Sequence, residues 1–210
     1  MHIDIIISHP NPDSFCHALL NSFVDGAKTA NHDVHIIDLY KDKFNPIMSL
    51  DEMRGDISDP IVINYQKQIK DADCLVFIYP IFWFRAPAIF EGWIDRVFAV
   101  NFAYKFKTIF GNWGKPVGLL PCKKAIIINT YGSPAIFTKY FYMNIPFRRL
   151  KRGVLKMCGV KDISRVNCWS VPFVSDDKRN RYLKRVFLRI KYSVSWDAFQ
   201  NRFINCTTRK

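Results

Sequence analysis

Short, almost wholly apolar runs recur along this chain, and they restrict its fold more than any other feature. Three such runs cover residues 3–8, 74–79 and 125–129, and residues 34–39 and 164–171 are read as two further strands. A run without polar alternation is typical of a strand that is buried on both faces, as in the centre of a parallel sheet. The sequence therefore predicts a five-stranded parallel sheet that needs helices on both faces.

The segments between these runs place apolar residues at helical spacing. They cover residues 14–30, 60–71, 88–98, 147–158 and 177–192. In the first segment Leu19, Phe23 and Ala27 share one stripe, and Ser14 is a suitable N-cap. Gly159 follows the fourth segment in a good helix-stop position. Regular alternation of strands and helices predicts an α/β fold, and right-handed crossovers leave few topologies.

The chain has no internal repeat, low-complexity tract or domain-sized linker. We therefore expect one domain over residues 1–194 and a tail of unknown structure at residues 195–210, where no pattern is readable. A hydrophobic content of 49% is enough for a substantial core. The longest apolar run, residues 74–84, is shorter than the roughly 20 residues that span a bilayer, and Pro80 interrupts it. The sequence predicts no transmembrane helix.

The cysteines and the amino-terminal residues indicate in which cellular compartment we expect the protein. Six cysteines include no C-x-x-C pair, so a reducing cytoplasm is their simplest location. Residues 3–7 lead directly into a turn at residues 9–12 without a preceding basic segment. We therefore expect a cytoplasmic protein without a secretory signal.

The charge is strongly positive. Thirty-one Lys and Arg against eighteen Asp and Glu give a net charge of +13, and the excess is concentrated after Arg148. Such a charge favours an anionic partner, which could be a phosphate-bearing cofactor, an acidic lipid or a nucleic acid. Solvated helix faces also explain it, so the charge alone identifies no partner.

Ligands of such sheets bind beyond the carboxyl ends of the strands, where the strand order reverses. Three segments follow predicted carboxyl ends: residues 9–15, 80–87 and 130–137. The first ends at a helix start, where backbone N–H groups and the helix dipole favour an anion. His9 adds a ring N–H and Ser14 a hydroxyl, although an N-cap role alone would explain Ser14.

The second segment sets Phe82, Trp83 and Phe84 in a row beyond a strand end. A flat aromatic ligand would suit this arrangement, because backbone N–H groups can bond the edge of a ring system while side chains cover its face. Alternatively, the three aromatic side chains pack against the neighbouring helix or a partner subunit.

The third segment offers the hydroxyls of Thr130 and Ser133, and Gly132 allows a close backbone approach, although a plain turn explains it equally well. Motifs for other chemistries are absent from the sequence. There is no G-x-G-x-x-G, P-loop or G-x-S-x-G, and all five histidines precede residue 36. We therefore expect no metal site, no dinucleotide Rossmann site and no hydrolase triad.

Four motifs together carry a family resemblance. HPNPDSF, YPIFWFRAPAIFEGWIDRVF, FAY and MCGV begin at His9, Tyr79, Phe102 and Met157. They resemble the NAD(P)H:quinone oxidoreductase family, which includes mammalian DT-diaphorase, the bacterial modulator of drug activity B and ancillary oxidoreductases of potassium-efflux channels. The resemblance covers roughly residues 3–170. It implies a flavodoxin-like fold with strand order 2-1-3-4-5 and helices on both faces.

The resemblance also implies a bound flavin, FAD or FMN, and a homodimer. The cofactor-binding residues that it assigns in this chain are His9, Ser14, Phe15, Cys16, Gln66, Pro80, Ile81, Phe82, Trp83, Phe84, Thr130, Tyr131, Gly132, Ser133 and Phe137. Tyr104 and Phe106 match aromatic positions that reach across a homodimer to cover the substrate. Trp83, Tyr104 and Tyr131 are the side chains expected beside the reacting groups.

The chain departs from the family pattern at three positions. Cys16 stands where the family often has Asn, Tyr131 where it usually has Gly, and Met143 near a His of the animal enzymes. We expect these departures to affect nucleotide affinity and acceptor range more than catalysis. A bulky Tyr131 should narrow the ring-stacking pocket, unless its side chain turns outward onto a neighbouring helix or the dimer partner.

The activity that the resemblance implies is ping-pong: NADH or NADPH reduces the flavin and leaves, and a quinone-like acceptor then takes its place. Two other functions stay open at this point. One is a regulatory flavoprotein that contacts a membrane or a membrane transporter through its basic carboxyl-terminal half. The other is a nucleic-acid-binding protein on a degenerate flavodoxin scaffold, although no nucleic-acid-binding motif supports it.

Overall fold

The computed structural model describes residues 1–191. The tail expected at residues 195–210 lies outside them, as do the last residues of the domain expected over residues 1–194. In chain order the described strands are β1 His2–Ile7, β2 Asp33–Asp38, β3 Cys74–Pro80, β4 Tyr104–Phe110, β5 Trp113–Gly118, β6 Lys124–Thr130 and β7 Asp162–Cys168. Five of them form one parallel sheet in the order β2-β1-β3-β6-β7. Counted within the sheet, this is the order 2-1-3-4-5 that the resemblance implied.

Helices cover both faces of the sheet. They are α1 Phe15–Thr29, α2 Leu50–Arg54, α3 Pro60–Asp71, α4 Ala88–Val97, α5 Ile145–Arg148 and α6 Asp176–Lys191. Two π-helices and one 3-10 turn accompany them, at Phe137–Phe141, Arg149–Leu155 and Val171–Phe173. α1 and α6 contribute to the core on one face, and α3 and α4 contribute to the core on the other. No helix within residues 1–191 has the length and apolar content needed to cross a bilayer.

β3 shows why the predicted strands lack polar alternation. Val76 and Ile78 belong to the core beside α1 and α6, whereas Leu75 and Phe77 belong to the core beside α3 and α4. All four side chains are completely buried. Because both faces of the strand are covered, every position is apolar, as expected for a central parallel strand.

α1 is held closely against α6 at Gly26. A Cβ atom at this position would lie 2.6 Å from the backbone oxygen of Phe187 and 2.7 Å from the Cγ2 atom of Ile190. Any larger residue would therefore push the two helices apart. The hydroxyl of Ser22 also donates to the backbone oxygen of Leu183 at 2.8 Å. These contacts fix α1, whose amino terminus borders the site described below.

Arg96 on α4 fastens the segment between β2 and α3 to the core. Its guanidinium contacts Glu52 at 2.5 Å and Asp59 at 2.6 Å, and donates to the backbone oxygen of Asn45 at 2.6 Å. Arg96 and Glu52 are both buried. Hydrogen bonds from the guanidinium hold the pKa values of the Glu52 and Asp59 carboxyls below their ordinary values.

β4 and β5 form a separate antiparallel hairpin that the sequence did not predict. Every residue from Lys105 to Lys115 is exposed. Charged and aromatic residues alternate here without a buried face, so the pattern gives no strand signal.

The helix predicted over residues 147–158 is also different in detail. It starts earlier, with α5, and continues as the π-helix Arg149–Leu155. The predicted stop is present, because Gly159 has a φ angle of 100° and the backbone N–H of Val160 returns to the oxygen of Leu155 at 3.0 Å.

Candidate functional site

Three cavities lie at the carboxyl edge of the sheet. The central cavity has a volume of about 400 Å³. Its walls come from the loops after β1, β3, β6 and β7, and they consist of His9, Phe15, Cys16, Pro80, Ile81, Phe82, Thr130, Tyr131, Gly132, Val171 and Pro172. Nine of these eleven residues are sequence-predicted site residues. The fold therefore brings the three predicted loops to one place, as the rule for parallel sheets requires.

The cavities on either side share walls with the central one. A cavity of about 360 Å³ at the start of α1 shares Phe15, Val171 and Pro172 with it. A cavity of about 240 Å³, which Trp83, Phe84, Ser133 and Thr138 also line, shares Ile81, Tyr131 and Gly132 with it. The three cavities adjoin along the edge of the sheet, and we call them together the edge trough.

The α1 end of the edge trough suits an anion. Ser14 is the N-cap of α1, with its hydroxyl 3.4 Å from the backbone N–H of His17, and the first turn of α1 contains no acidic residue. The positive end of the helix dipole therefore faces this cavity, which the carboxylate of Asp13 also lines. Arg179 of α6 lines the same cavity, so a guanidinium adds to the positive potential.

His9 lies between the α1 end and the central cavity. Its Nδ1 atom is 3.1 Å from the backbone nitrogen of Asn11 and 3.2 Å from the backbone oxygen. This contact leaves Nε2 as the ring nitrogen for a ligand. Desolvation lowers the pKa of His9, so its imidazole is neutral at physiological pH in the ligand-free protein.

The loop after β3 has an unusual backbone. Trp83 and Phe84 have φ angles of 50° and 60°, which is the left-handed region that aromatic residues rarely adopt. Phe82 and Arg85 exchange two backbone hydrogen bonds of 2.9 and 3.0 Å around them. Trp83 is consequently turned away from the core, and 91% of its surface is exposed. Strained residues of this kind occur preferentially at functional sites.

Tyr131 borders two of the cavities, but its ring packs on a neighbour. Tyr131 is 2% exposed, and its ring stacks on that of Trp169 with centroids 4.1 Å apart. Its hydroxyl is buried and has no hydrogen-bond partner in the described part of the chain. The ring of Tyr131 packs on Trp169 while the residue also lines the cavities. That Tyr131 narrows the ring-stacking pocket therefore stays a prediction.

Cys16 lines the central cavity but does not supply a reactive thiolate. Its thiol is buried, and its Sγ atom lies 3.5 Å from the hydroxyl of Thr130. Desolvation raises the pKa of Cys16 to about 11, so the thiol remains protonated at neutral pH.

Comparisons with known proteins place these features in a family. A family model described as flavodoxin-like fold matches residues 1–188. An uncharacterized NAD(P)H oxidoreductase of Haemophilus influenzae is 30% identical over 185 residues, which are 86% of this chain and 89% of that protein. The chain belongs to the NAD(P)H:quinone oxidoreductase family, which has the flavodoxin-like fold.

Two further members illustrate the range of this family. NAD(P)H dehydrogenase (quinone) 1 of Cavia porcellus is 29% identical over 203 residues, which cover 85% of this chain and 72% of that protein. The structure of an NAD(P)H:quinone oxidoreductase from Methanothermobacter marburgensis superposes with a TM-score of 0.82 at 26% identity, over 91% of this chain and 98% of that one. The resemblance read from the four motifs is confirmed at the level of family and fold.

Three sequence-predicted site residues of this family member are not among the residues that line the edge trough. Gln66 on α3 donates from Nε2 to the backbone oxygen of Val97 at 3.1 Å. Phe137 is half-exposed and packs on Phe141, with ring centroids 5.8 Å apart. Tyr104 lines a different cavity of about 480 Å³ together with Phe106 and part of α4. Their assigned roles therefore stay predictions.

Six residues that line the edge trough were not predicted as site residues from the sequence: Asp13, Ala18, Thr138, Val171, Pro172 and Arg179. Val171, Pro172 and Arg179 follow β7 and close the α1 side of the trough. The fifth strand was predicted to run to residue 171, whereas β7 ends at Cys168. The rule that ligands bind beyond strand ends would have found Val171 and Pro172 had the end of this strand been placed correctly.

Proposed function

We propose that this family member is a flavin-dependent oxidoreductase that takes reducing equivalents from NADH or NADPH and passes them to a quinone-like acceptor. The observation that carries the proposal is the edge trough, which extends from the amino terminus of α1 to the aromatic loop after β3. An elongated nucleotide with a phosphate and a flat ring system matches this polarity.

The α1 end would hold the phosphate part of FMN or FAD. Ser14 presents the start of α1, and the backbone N–H groups of its first turn can donate to phosphate oxygens. Nε2 of His9 would donate a further hydrogen bond. Arg179 would add a guanidinium from α6, which also contacts the Asp176 carboxylate at 2.9 Å.

The central and aromatic parts would hold the ring system. Pro80, Ile81 and Phe82 line the central cavity beside Thr130 and Gly132 of the neighbouring strand end. The backbone N–H groups of Ile81 and Phe82 already donate to the oxygens of Thr130 and Arg85. The N–H of Gly132 and the hydroxyl of Thr130 would therefore bond the polar edge of the ring, while the exposed indole of Trp83 would shield its face.

When bound, the flavin would supply the redox chemistry, accepting a hydride from the reduced nicotinamide and passing it to the acceptor in ping-pong order. The chain's own task is to orient the two flat partners in succession at one binding face and to keep water away from it. No trough side chain needs to act as an acid or base for this. Tyr131 is not a ready proton donor, because desolvation raises the pKa of its hydroxyl.

We also propose that two copies assemble and that Tyr104 and Phe106 of one copy cover the acceptor site of the other. Support comes from the resemblance and from the exposure of Phe106, which is 63%. Sedimentation velocity of the purified protein tests the assembly. A reducing compartment such as the cytoplasm is proposed as well, since the five cysteines of the described residues are all unpaired.

The decisive experiment is the visible absorption spectrum of purified protein, followed by reconstitution of a flavin-free preparation. We expect the two visible bands of oxidised flavin, and quenching of free FAD or FMN fluorescence as the apoprotein takes the nucleotide up. Titration with NADH and NADPH should then bleach the bands and identify the donor. A colourless protein that takes up neither FAD nor FMN would refute the proposal.

A further inference from the structure

A chain of three hydrogen-bonded side chains leads from the α1 end of the edge trough to the end of β2. The hydroxyl oxygen of Ser14 is 3.0 Å from Nδ1 of His17, and Nε2 of His17 is 3.4 Å from Oδ2 of Asp38. Ser14 lines the cavity at the start of α1. The side chains of His17 and Asp38 are only 14% and 18% exposed. The chain therefore links the proposed phosphate site to a largely buried carboxylate.

Asp38 determines which ring nitrogen of His17 carries the proton. Oδ1 of Asp38 accepts from the backbone N–H groups of Tyr40 and Lys41 at 3.1 and 3.2 Å, which fixes the orientation of the carboxylate. Oδ2 therefore faces His17. An ionised carboxylate only accepts hydrogen bonds, so Nε2 of His17 must be the donor. In a neutral imidazole Nδ1 is then an acceptor.

The proton of the Ser14 hydroxyl is consequently committed to His17. A hydroxyl has one proton, and that of Ser14 is donated to Nδ1. The same oxygen also accepts from the backbone N–H of His17 at 3.4 Å. No proton of Ser14 is then left for an anion in the cavity. Protonation of His17 reverses this, because Nδ1 then donates to the hydroxyl oxygen and the hydroxyl proton can turn to the anion.

We propose that His17 is a positioning residue that couples the binding of a phosphate at the start of α1 to the uptake of one proton, with Asp38 as the counter-ion of the imidazolium. This coupling rests on the proposed function, because it takes the flavin phosphate to be the anion. The proton comes from solvent and stays on the His17 ring, and no covalent bond to a heavy atom forms or breaks. Imidazole ordinarily changes its charge between about pH 5 and 8, so the coupling acts near neutral pH.

Other ionisable groups also face this chain of side chains. His9 lies edge-on to His17 with ring centroids 6.4 Å apart, so a charge on either ring disfavours a charge on the other. Asp13 and Arg179 line the cavity at the start of α1. Positive charge on Arg179 opposes protonation of His17, whereas Asp13 and Asp38 favour it. The experiments below leave His9, Asp13 and Arg179 unchanged.

Asp38→Asn tests the coupling because it reverses the direction of the hydrogen bonds. The carbonyl oxygen of the new amide should take the place of Oδ1, where two backbone N–H groups require an acceptor, so the amide nitrogen faces Nε2 of His17. The neutral ring then carries its proton on Nδ1 and donates to Ser14, which frees the hydroxyl without proton uptake. Asp42→Asn is the matched control. It removes the same charge from the turn after β2, where Asp42 accepts from the hydroxyl of Tyr65 at 2.7 Å.

Fluorescence titration of the flavin-free full chain with FMN, from about pH 8 to about pH 6, measures the coupling. The affinity of Asp42→Asn divided by that of Asp38→Asn should rise as the pH falls, by up to roughly 10-fold per pH unit if one whole proton is taken up. Both variants have the same net charge and keep His9, so the titrations of the FMN phosphate and of His9 cancel in this ratio. Calorimetry in buffers of different ionisation enthalpy should show less proton uptake for Asp38→Asn and His17→Phe than for the parent protein.

The His17 ring can also be observed without FMN. Its nitrogen-15 NMR signals are those that His17→Phe lacks. The neutral ring should carry its proton on Nε2 in the parent protein and on Nδ1 in Asp38→Asn, and inorganic phosphate should bring the parent ring to the doubly protonated form. Failure of the parent protein to bind FMN would refute the proposed function, whereas the NMR signals with inorganic phosphate still decide the coupling.

Three results overturn the coupling. The first is a neutral His17 ring that carries its proton on Nδ1 in the parent protein. The second is an affinity ratio of Asp42→Asn to Asp38→Asn that stays constant with pH. The third is equal proton uptake by the parent protein and Asp38→Asn, which would assign the proton to another group such as His9.

Discussion

Tyr131 and Trp169 are stacked, with their rings inclined by 29° and their centroids 4.1 Å apart. The pair joins the loop after β6 to the loop after β7, two of the walls of the edge trough. Tyr131 therefore has a packing role in addition to any effect on the acceptor.

Replacing Tyr131 with Gly should widen the trough. We expect kcat/KM for a bulky naphthoquinone to rise relative to that for benzoquinone, by roughly 10-fold if about 1.4 kcal/mol of steric exclusion is relieved. Steady-state assays with both acceptors measure this ratio. An unchanged ratio, even with both values lower, would mean that the ring serves packing alone.

A conservative change at the same position separates the hydroxyl from the ring. Tyr131→Phe removes a buried hydroxyl that has no partner within residues 1–191, so the free energy of unfolding should stay the same or rise by up to about 1 kcal/mol. Tyr131→Gly should lower it by about 3 to 5 kcal/mol because the stack on Trp169 is lost. Urea denaturation measures both changes, and a loss of stability in Tyr131→Phe would indicate a hydrogen bond to the hydroxyl.

Trp83→Ala should lower activity far more than it lowers stability. The indole is 91% exposed, so the free energy of unfolding of the flavin-free protein should change by no more than about 0.5 kcal/mol. Trp93→Ala is the matched control. The indole of Trp93 on α4 is completely buried in the core, so its removal should lower the free energy of unfolding by about 3 to 5 kcal/mol. A large loss of stability in Trp83→Ala would show that the loop after β3 is structural.

Acid should weaken the contacts of Arg96. Because the pKa values of Glu52 and Asp59 are lowered in the folded protein, their contribution to stability is complete above the ordinary carboxyl values of 4.5 and 3.8 and is lost as the pH falls through the lowered values. Glu52→Ala should cost about 3 to 5 kcal/mol near pH 7, because Arg96 then lacks a buried partner. Denaturation curves from neutral pH to below pH 4 should show the variant losing less stability on acidification than the parent protein does.

His9 should make flavin binding depend on pH. Its pKa is lowered in the ligand-free protein, and a bound phosphate would raise it again. The affinity of the parent protein for FMN, divided by that of His9→Gln, should therefore increase as the pH falls from about 8 to about 5. Taking the ratio removes the titration of the FMN phosphate itself. Fluorescence titration at several pH values measures it, and a constant ratio would place His9 away from the phosphate.

The parts of the fold that are buried on two sides could be predicted from the sequence. β1, β3 and β6 are apolar at almost every position because the helices cover both faces, and α3 starts at Pro60 after the N-cap Asp59 as its sequence indicates. The hairpin could not be predicted, because residues that are exposed on both faces carry no burial pattern.

The site was predicted to a similar degree and for a related reason. His9, Pro80 and Thr130 follow strands with clear ends, so the rule for parallel sheets located them. Arg179 lies on α6, beyond the loop that follows β7. Only the packing of α6 against α1 brings it to the trough. Such a long-range contact leaves no mark in the local sequence.

The close contact of α1 with α6 has a consequence for the time course of folding. Gly26 and Phe187 are separated by roughly 160 residues, and bringing such distant segments together is slow compared with local pairing. During synthesis, α1 emerges long before the helix that covers it. The apolar face of α1, with Leu19 and Phe23, stays uncovered until residues 176–191 have left the ribosome. Uptake of a nucleotide at the start of α1 should therefore follow the release of α6 and not precede it.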